Sequence, residues 1–187
     1  MATTLILSIR YRPMRGNTRS CSLMVSVSSP KRGKRRPTDG REGFQNIFLR
    51  RGFSIYLVDQ PRRGNAGRST KAATIIPTFD EEVWFNRFRV GIWPNYFEGV
   101  QFSCDRETLE QYFRQMTPNI GPVDFEVYSD AYAALFEKTG PAIFIVHSQG
   151  GGIVWETLPK TKNIKAIVAY EPGSNVPFPE GRMPQEA

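Results

Sequence analysis

The chain has 187 residues, of which 40% are hydrophobic and 12% aromatic, so it is long and apolar enough to fold as one domain with its own core. This composition excludes a mainly disordered protein. The two cysteines, Cys21 and Cys104, are too few for a disulfide framework or a zinc-ligand pattern. No apolar stretch approaches the roughly 20 residues of a transmembrane helix, so no membrane span is predicted.

The formal net charge of +7 is unevenly distributed along the chain. Residues 1–36 carry nine basic and no acidic residues, whereas the remainder carries 16 basic and 18 acidic residues. All of the excess positive charge therefore lies in the N-terminal fifth. A basic nucleic-acid-binding face is not expected on the rest of the protein.

The N-terminal region combines two short apolar runs with a basic, turn-rich sequence. Residues 5–9 and 23–27 each predict a short strand, and residues 28–37 (Ser-Ser-Pro-Lys-Arg-Gly-Lys-Arg-Arg-Pro) show no hydrophobic periodicity. Residues 1–38 are therefore predicted to be a basic, largely irregular segment. Three interpretations of it stay open: a solvated tail, a targeting segment, or a nucleic-acid-binding arm. A secretory signal is not expected, because the apolar run is short and an arginine follows it.

A helix and a buried strand are predicted next. Residues 44–51 indicate a short helix that ends at Gly52, and residues 53–58 indicate a strand. The loop that follows, residues 60–70, is rich in glycine and arginine and lies at the carboxyl end of a strand, where α/β proteins bind ligands. It lacks the Gly-Lys-Ser/Thr ending of a phosphate-binding P-loop, so a nucleotide site is not expected.

Residues 71–138 are predicted to be a helical, aromatic-rich insertion that resembles a cap. Helices are indicated over residues 80–90, 105–116 and 128–138, and Asp105 is a suitable N-cap for the second of these. The second helix carries an apolar stripe of Leu109, Tyr112, Phe113 and Met116. This stripe is interpreted either as core or lid packing or as a substrate contact.

The stretch around Ser148 carries the clearest chemical signal. An apolar run over residues 142–146 predicts a buried strand, residues 147–152 are His-Ser-Gln-Gly-Gly-Gly, and residues 153–158 predict a helix. A strand, a sharp turn with serine at its apex and a helix form the context of a nucleophile elbow. The backbone N–H of Gln149 is then expected to face an oxyanion formed on Ser148.

A last strand is predicted over residues 162–170, with Glu171 directly after it. The alternation of strands and helices predicts an α/β fold with a mostly parallel sheet flanked by helices. The carboxyl ends of neighbouring parallel strands lie at the same edge of a sheet. Ser148 and Glu171 are therefore expected to lie close together, where an acid can orient a histidine beside the serine.

These motifs resemble the α/β-hydrolase superfamily. The sequence His-Ser-Gln-Gly at residues 147–150 resembles the Gly-x-Ser-x-Gly elbow, and residues 53–59 with the loop after them resemble the segment that follows the family's fourth strand. The sequence Ala-Tyr-Glu-Pro-Gly at residues 169–173 resembles a group of esterases whose triad acid is a glutamate directly after the strand that follows the nucleophile helix.

The resemblance covers about residues 39–180 and implies a partial α/β-hydrolase fold, with residues 181–187 as a tail. It implies that Ser148 is the nucleophile, that Glu171 is the triad acid, and that Gln149 donates one oxyanion N–H. It also implies a small-molecule ester as substrate, and no cofactor, metal or nucleic-acid partner is predicted.

Three features depart from the family pattern. Val146 stands where the family has glycine, and the basic sequence after residue 27 stands where the family has a His-Gly oxyanion loop. The chain's one histidine, His147, is adjacent to Ser148. Neighbouring side chains on a sharp turn diverge, so His147 is not expected to take the Ser148 proton while Glu171 orients it.

The family's histidine lies on a later loop, so the chain is expected to be C-terminally incomplete. A frameshifted or mispredicted N-terminal region would explain both the altered oxyanion loop and the uneven charge. The predicted function is hydrolysis of carboxylic esters through an acyl-enzyme, in a truncated or impaired form with trace turnover at most. The alternative is a catalytically inactive hydrolase-like module that binds a small apolar ligand or a protein partner through the aromatic region.

Overall fold

The structure is a computed structural model that describes residues 7–10, 22–26, 42–63, 66, 72, 74, 81–116 and 122–173. Its strands are β1 (Leu7–Arg10), β2 (Ser22–Ser26), β3 (Ser54–Val58), β4 (Gly91–Ile92), β5 (Asn95–Tyr96), β6 (Ala142–His147) and β7 (Ile164–Tyr170). Its helices are α1 (Phe44–Arg50), α2 (Glu81–Arg87), α3 (Arg106–Arg114), α4 (Phe125–Thr139) and α5 (Gly150–Thr157), and a 3-10 turn, Leu158–Lys160, follows α5.

Five of the strands form one sheet in the order β1-β3-β2-β6-β7. The pairs β3–β2, β2–β6 and β6–β7 are parallel, and β1 is antiparallel to β3. The predicted mostly parallel sheet is thereby confirmed. His147 of β6 is paired with Tyr170 of β7. Ser148 and Glu171, the next residue of each strand, therefore leave the sheet at the same edge.

Both faces of the sheet are covered by helices, which explains why β3 and β6 are continuous apolar runs. On one face α4 and α5 pack against β6, and the largest fully buried side chains there are Tyr128, Tyr132, Phe136, Phe144, Val146 and Ile153. On the other face Ile55, Leu57 and Ile145 are buried beneath the partly buried Phe48 and Leu49 of α1.

Strand β7 lies at one edge of the sheet. Among the strands of the described residues, β6 is its sole neighbour. Its outer part is apolar but exposed, because the side chains of Val168 and Tyr170 keep 38% and 48% of their accessible surface. In β6, by contrast, Phe144 and Val146 are fully buried.

The N-terminal segment contributes to the sheet. Strands β1 and β2 lie within residues 1–38 and pair with β3 and β6, so this segment is not irregular throughout. The rest of the basic sequence, including residues 27–41 in place of the oxyanion loop, lies outside the described residues, and so does the tail at residues 181–187.

Three element boundaries differ from the sequence-based expectation. Helix α4 begins at Phe125 rather than at residue 128, because the side chain of Asp124 accepts a hydrogen bond from Val127 N at 3.1 Å and caps the helix. Helix α5 begins at Gly150 rather than at residue 153, so the glycines form its first turn. Helix α2 ends at Arg87, and the chain turns at Arg89, whose φ is 57°.

Residues 81–116 of the predicted insertion have an aromatic cluster of their own. The last helix of the same predicted segment, α4, instead packs on the sheet beside β6 and belongs to the core rather than to a cap. The hairpin β4–β5 lies between α2 and α3, and it was not predicted because two-residue strands show no periodicity. Phe85 is fully buried, with its ring centroid 5.3 Å from that of Trp93 and 5.2 Å from that of Tyr96. Trp93 in turn lies 5.5 Å from Phe113 of α3. Tyr112 of α3 lies 5.3 Å from Phe102, so two residues of the predicted stripe, Tyr112 and Phe113, pack inside this part of the insertion.

Candidate active site

The backbone at Ser148 adopts the conformation expected of a nucleophile elbow. Its φ is 53°, in the left-handed region that non-glycine residues rarely occupy, and its side chain is exposed. Such a conformation costs about 1–3 kcal/mol and persists only where the surroundings hold it. Ser148 lies between the end of β6 and the start of α5, so its hydroxyl is presented above the carboxyl edge of the sheet.

Three backbone hydrogen bonds hold this turn. Ser148 N donates to the carbonyl of Tyr170 at 3.1 Å, and the carbonyl of Ser148 accepts from Gly151 N at 2.9 Å and from Gly173 N at 2.7 Å. Two of the three partners, Tyr170 and Gly173, belong to the segment that ends β7. The elbow is therefore fixed by the neighbouring strand as well as by its own helix.

Close packing between the elbow and the residues after β7 requires small side chains. A Cβ atom added at Gly151 would overlap the ring of Pro172, and one added at Gly173 would lie 3.0 Å from the carbonyl carbon of Ser148. The glycines at positions 151 and 173 are therefore explained by the approach of α5 to the segment that follows Tyr170.

Glu171 lies beside His147 at the edge that bears Ser148. Its Oε2 atom is 4.0 Å from Nε2 of His147, and the two side chains are 93% and 38% exposed. This separation is longer than a hydrogen bond. The backbone of Glu171 is also left-handed, with φ at 42°. The structure thus brings Ser148, His147 and Glu171 to one rim.

Gln149 occupies the N-cap position of α5, where backbone N–H groups have no partner within the helix. The N-terminus of a helix also carries partial positive charge, which favours a nearby anion. The side chain of Gln149 makes no capping hydrogen bond; instead its Oε1 accepts a hydrogen bond from Nη1 of Arg63. The predicted oxyanion donor is therefore at a chemically suitable position.

The loop after β3 is largely buried although its sequence is polar. Asp59, Gln60 and Arg62 keep at most 4% of their accessible surface. The backbone of Arg62 is left-handed, with φ at 62°, and its Nη1 donates to the carbonyl of Pro122 at 2.9 Å. The sequence placed a ligand-binding loop here but did not single out Arg62 or Arg63. The available signal was a run of polar residues directly after a buried strand.

Two positive charges lie close to a buried tyrosine below this loop. Tyr128 of α4 is fully buried, and burial raises the pKa of its hydroxyl, while the charges of Arg62 and Arg63 oppose this change. Its hydroxyl has no hydrogen-bond partner among the described residues. Tyr128 therefore stays neutral at physiological pH and serves as a core residue rather than as a base.

The described residues include no group of three or more His, Cys, Asp or Glu side chains that could hold a metal ion. They also include no helix long and apolar enough to cross a membrane.

Comparisons with known proteins agree with this geometry at the level of the fold. No known protein-family model matches the chain. A curated relative named "Probable secreted lipase phiG", from Fungal sp. (strain ATCC 74256), is 29% identical over 143 residues, which cover 72% of this chain and 39% of that protein. A solved structure described as that of a novel bacterial esterase superposes with a TM-score of 0.67 and 23% identity, over 90% of this chain and 57% of that one.

The chain thus spans 39% of the relative's length and 57% of the solved esterase chain. The likeness in structure confirms the predicted fold class: the mostly parallel sheet and its flanking helices form part of an α/β-hydrolase fold. The resemblance to the α/β-hydrolase superfamily, stated above on sequence motifs, is thus supported at the level of the fold.

Proposed function

We propose that the chain is the nucleophile-bearing part of a serine hydrolase that acts on carboxylic esters through an acyl-enzyme. The observation that carries this proposal is the left-handed Ser148 at the β6–α5 junction, with Glu171 at the end of the adjacent parallel strand. The relatives named as a lipase and an esterase support the same class of reaction.

In the proposed reaction, Ser148 Oγ attacks the carbonyl carbon of the ester, and the bond from that carbon to the alkoxy oxygen breaks. The serine proton passes through a histidine to the departing alcohol, and water then hydrolyses the acyl-enzyme. The backbone N–H of Gln149 stabilises the oxyanion, and Glu171 orients the histidine. No cofactor takes part in these steps.

The proposed reaction needs a general base, and His147 is the first candidate for it. His147 is the chain's one histidine, and its ring lies 4.0 Å from Glu171, beyond hydrogen-bond distance. Side chains that neighbour each other on a sharp turn diverge. We therefore propose that His147 does not replace the triad histidine, and that these 187 residues alone hydrolyse esters only at trace rates.

Within the aromatic insertion predicted over about residues 71–138, the part before α4 is proposed to cover the apolar group of the ester. Residues 81–116 of this part expose large apolar side chains, among them Phe88 at 64% and Ile92 at 65%. The same exposure favours the second candidate function, a catalytically inactive module that binds a small apolar ligand or a protein partner through this region.

A covalent serine probe separates the two functions. We expect a fluorophosphonate to label the full chain at Ser148, as shown by mass spectrometry, but slowly, because these residues lack the triad histidine, and we expect Ser148→Ala to abolish labelling. Ser103→Ala, at another exposed serine, is the matched control and should label normally. Absence of labelling in the folded wild-type chain would favour the binding module. Ester turnover as fast as that of a complete triad enzyme, lost in Ser148→Ala, would show that His147 or another group supplies the base.

A further inference from the structure

A side-chain contact joins two loops that are far apart in sequence. Arg63 follows β3 and Gln149 follows β6, and the two residues are 86 positions apart. Strand β2 lies between β3 and β6 and is parallel to both, so both loops leave the sheet at the same carboxyl edge. Nη1 of Arg63 donates a hydrogen bond to Oε1 of Gln149 across this edge.

The arginine end of the contact is on an anchored loop. Arg63 N donates to the carbonyl of Gln60 at 3.1 Å, and the carbonyl of Arg63 accepts from Ala66 N at 3.2 Å. The preceding residue, Arg62, is buried and is tied to Pro122 by its own guanidinium. The backbone that carries the Arg63 guanidinium is therefore held by its own hydrogen bonds, independently of the elbow.

The glutamine end is the residue that bears the proposed oxyanion donor. Gln149 does not use its side chain to cap α5. Its half-buried side chain reaches Arg63 instead. Because side chain and backbone N–H belong to one residue, a contact that fixes the side chain also restricts the orientation of the peptide between Ser148 and Gln149.

We infer that Arg63 is a positioning residue of the oxyanion site, acting through Gln149. This inference rests on the serine-hydrolase function proposed above. Arg63 keeps its positive charge at all relevant pH values, so it also favours the negative charge that develops on the carbonyl oxygen over the neutral ester. A group that acts in this way accelerates bond formation to Ser148 more than it strengthens binding of the neutral reagent.

The test uses the kinetics of labelling by an uncharged fluorophosphonate on the full chain. In Arg63→Met and in Gln149→Met we expect the maximal labelling rate to fall about tenfold to a hundredfold, less than the loss of an oxyanion donor itself. The reagent concentration at half-maximal rate should change less than threefold. The double variant should be no slower than the slower single variant, because both changes remove the same interaction.

Arg51→Met is the matched control. Arg51 is exposed and precedes β3 at the opposite end of that strand, so the same loss of charge there should leave the labelling rate unchanged. Gln149→Met keeps the backbone N–H and leaves the Arg63 loop intact, and it serves as the test if Arg63→Met does not fold by circular dichroism.

The outcomes distinguish the two proposals. If the wild-type chain is not labelled at Ser148, the proposed function fails and this inference fails with it. If the wild-type chain is labelled and both methionine variants keep its rate, this inference alone is overturned. Rate losses that multiply in the double variant would also contradict it, since Arg63 and Gln149 would then act independently.

Discussion

At Ser148, a strained backbone is held by residues on both sides of the elbow. The carbonyl of Ser148 accepts hydrogen bonds from Gly151 and Gly173, one from the helix and one from the segment after β7. This double attachment offsets the cost of a left-handed serine. It also makes the elbow sensitive to any side chain that separates α5 from the segment after β7.

Gly151→Ala tests this packing directly. Helix propensity alone predicts that alanine stabilises α5 by about 1 kcal/mol. The added Cβ would overlap Pro172, however, and overpacking of this kind costs about 1–3 kcal/mol. We expect a net decrease in the free energy of unfolding, measured by urea denaturation, together with slower labelling of Ser148.

Pro172→Gly in the Gly151→Ala background is the companion variant. It removes Cβ of Pro172, the side-chain atom nearest to the new Cβ, so the cost of Gly151→Ala should be smaller in the Pro172→Gly background than in the wild type. A Gly151→Ala protein more stable than the wild type would contradict the packing explanation.

At the scale of single elements, α3 depends on its N-cap. Asp105 accepts hydrogen bonds from the hydroxyl of Ser103 and from Thr108 N, the latter at 2.8 Å. These two bonds, the Ser103 bond first, lower the pKa of Asp105 from 3.8 to about 2. The carboxylate form is therefore the form that caps the helix.

The pH dependence of α3 follows from this shift. The pKa is lower in the folded state, so the contribution of the cap is complete above pH 3.8 and is lost as the pH falls through about 2. We expect the Thr108 amide to lose protection from hydrogen exchange as the pH falls across this window. Asp105→Asn keeps a good N-cap without a titrating group, so the amide should then show no such change. An equal change in both proteins would assign it to another group.

The predictability of the elements depends on their length and surroundings. β3, β6 and β7 were predicted to within two residues, because each is a mainly apolar run bounded by turn residues. For β3 and β6 this pattern reflects burial on both faces of the sheet. The start of α4 was not predicted, because Asp124 lies two residues after Pro122 and reads as part of a loop. Only its contact with Val127 N identifies it as the N-cap. The first turn of α5 was missed because glycine disfavours helix and only the approach of Pro172 explains it.

Part of the candidate site was predicted because its residues directly follow recognisable strands. Ser148 and Glu171 directly follow apolar strands, and strand adjacency brings them together. The contact between Arg63 and Gln149 could not be predicted, since nothing in the local sequence links two loops separated by 86 positions and an intervening strand.

At the scale of the whole molecule, the sheet has an open side. β7 presents Val168 and Tyr170, and among the described strands it is paired through β6 alone. Unpaired apolar edge strands are templates for pairing with another chain. We expect Val168→Lys to reduce concentration-dependent light scattering, because a charge on an edge strand opposes such pairing. Leu158→Lys is the control: Leu158 is 44% exposed but lies off the sheet, so its effect should be small. Equal effects of the two lysines would indicate a general gain in solubility.

Glu171 directly follows edge strand β7, so self-association through this strand would change how accessible the Glu171 carboxylate is. A second chain that paired with β7 would extend its backbone past Tyr170 and shield the carboxylate that is now 93% exposed. Dilution should therefore do more than keep the protein in solution. It should leave a larger fraction of Glu171 side chains open to any histidine that approaches from outside this chain.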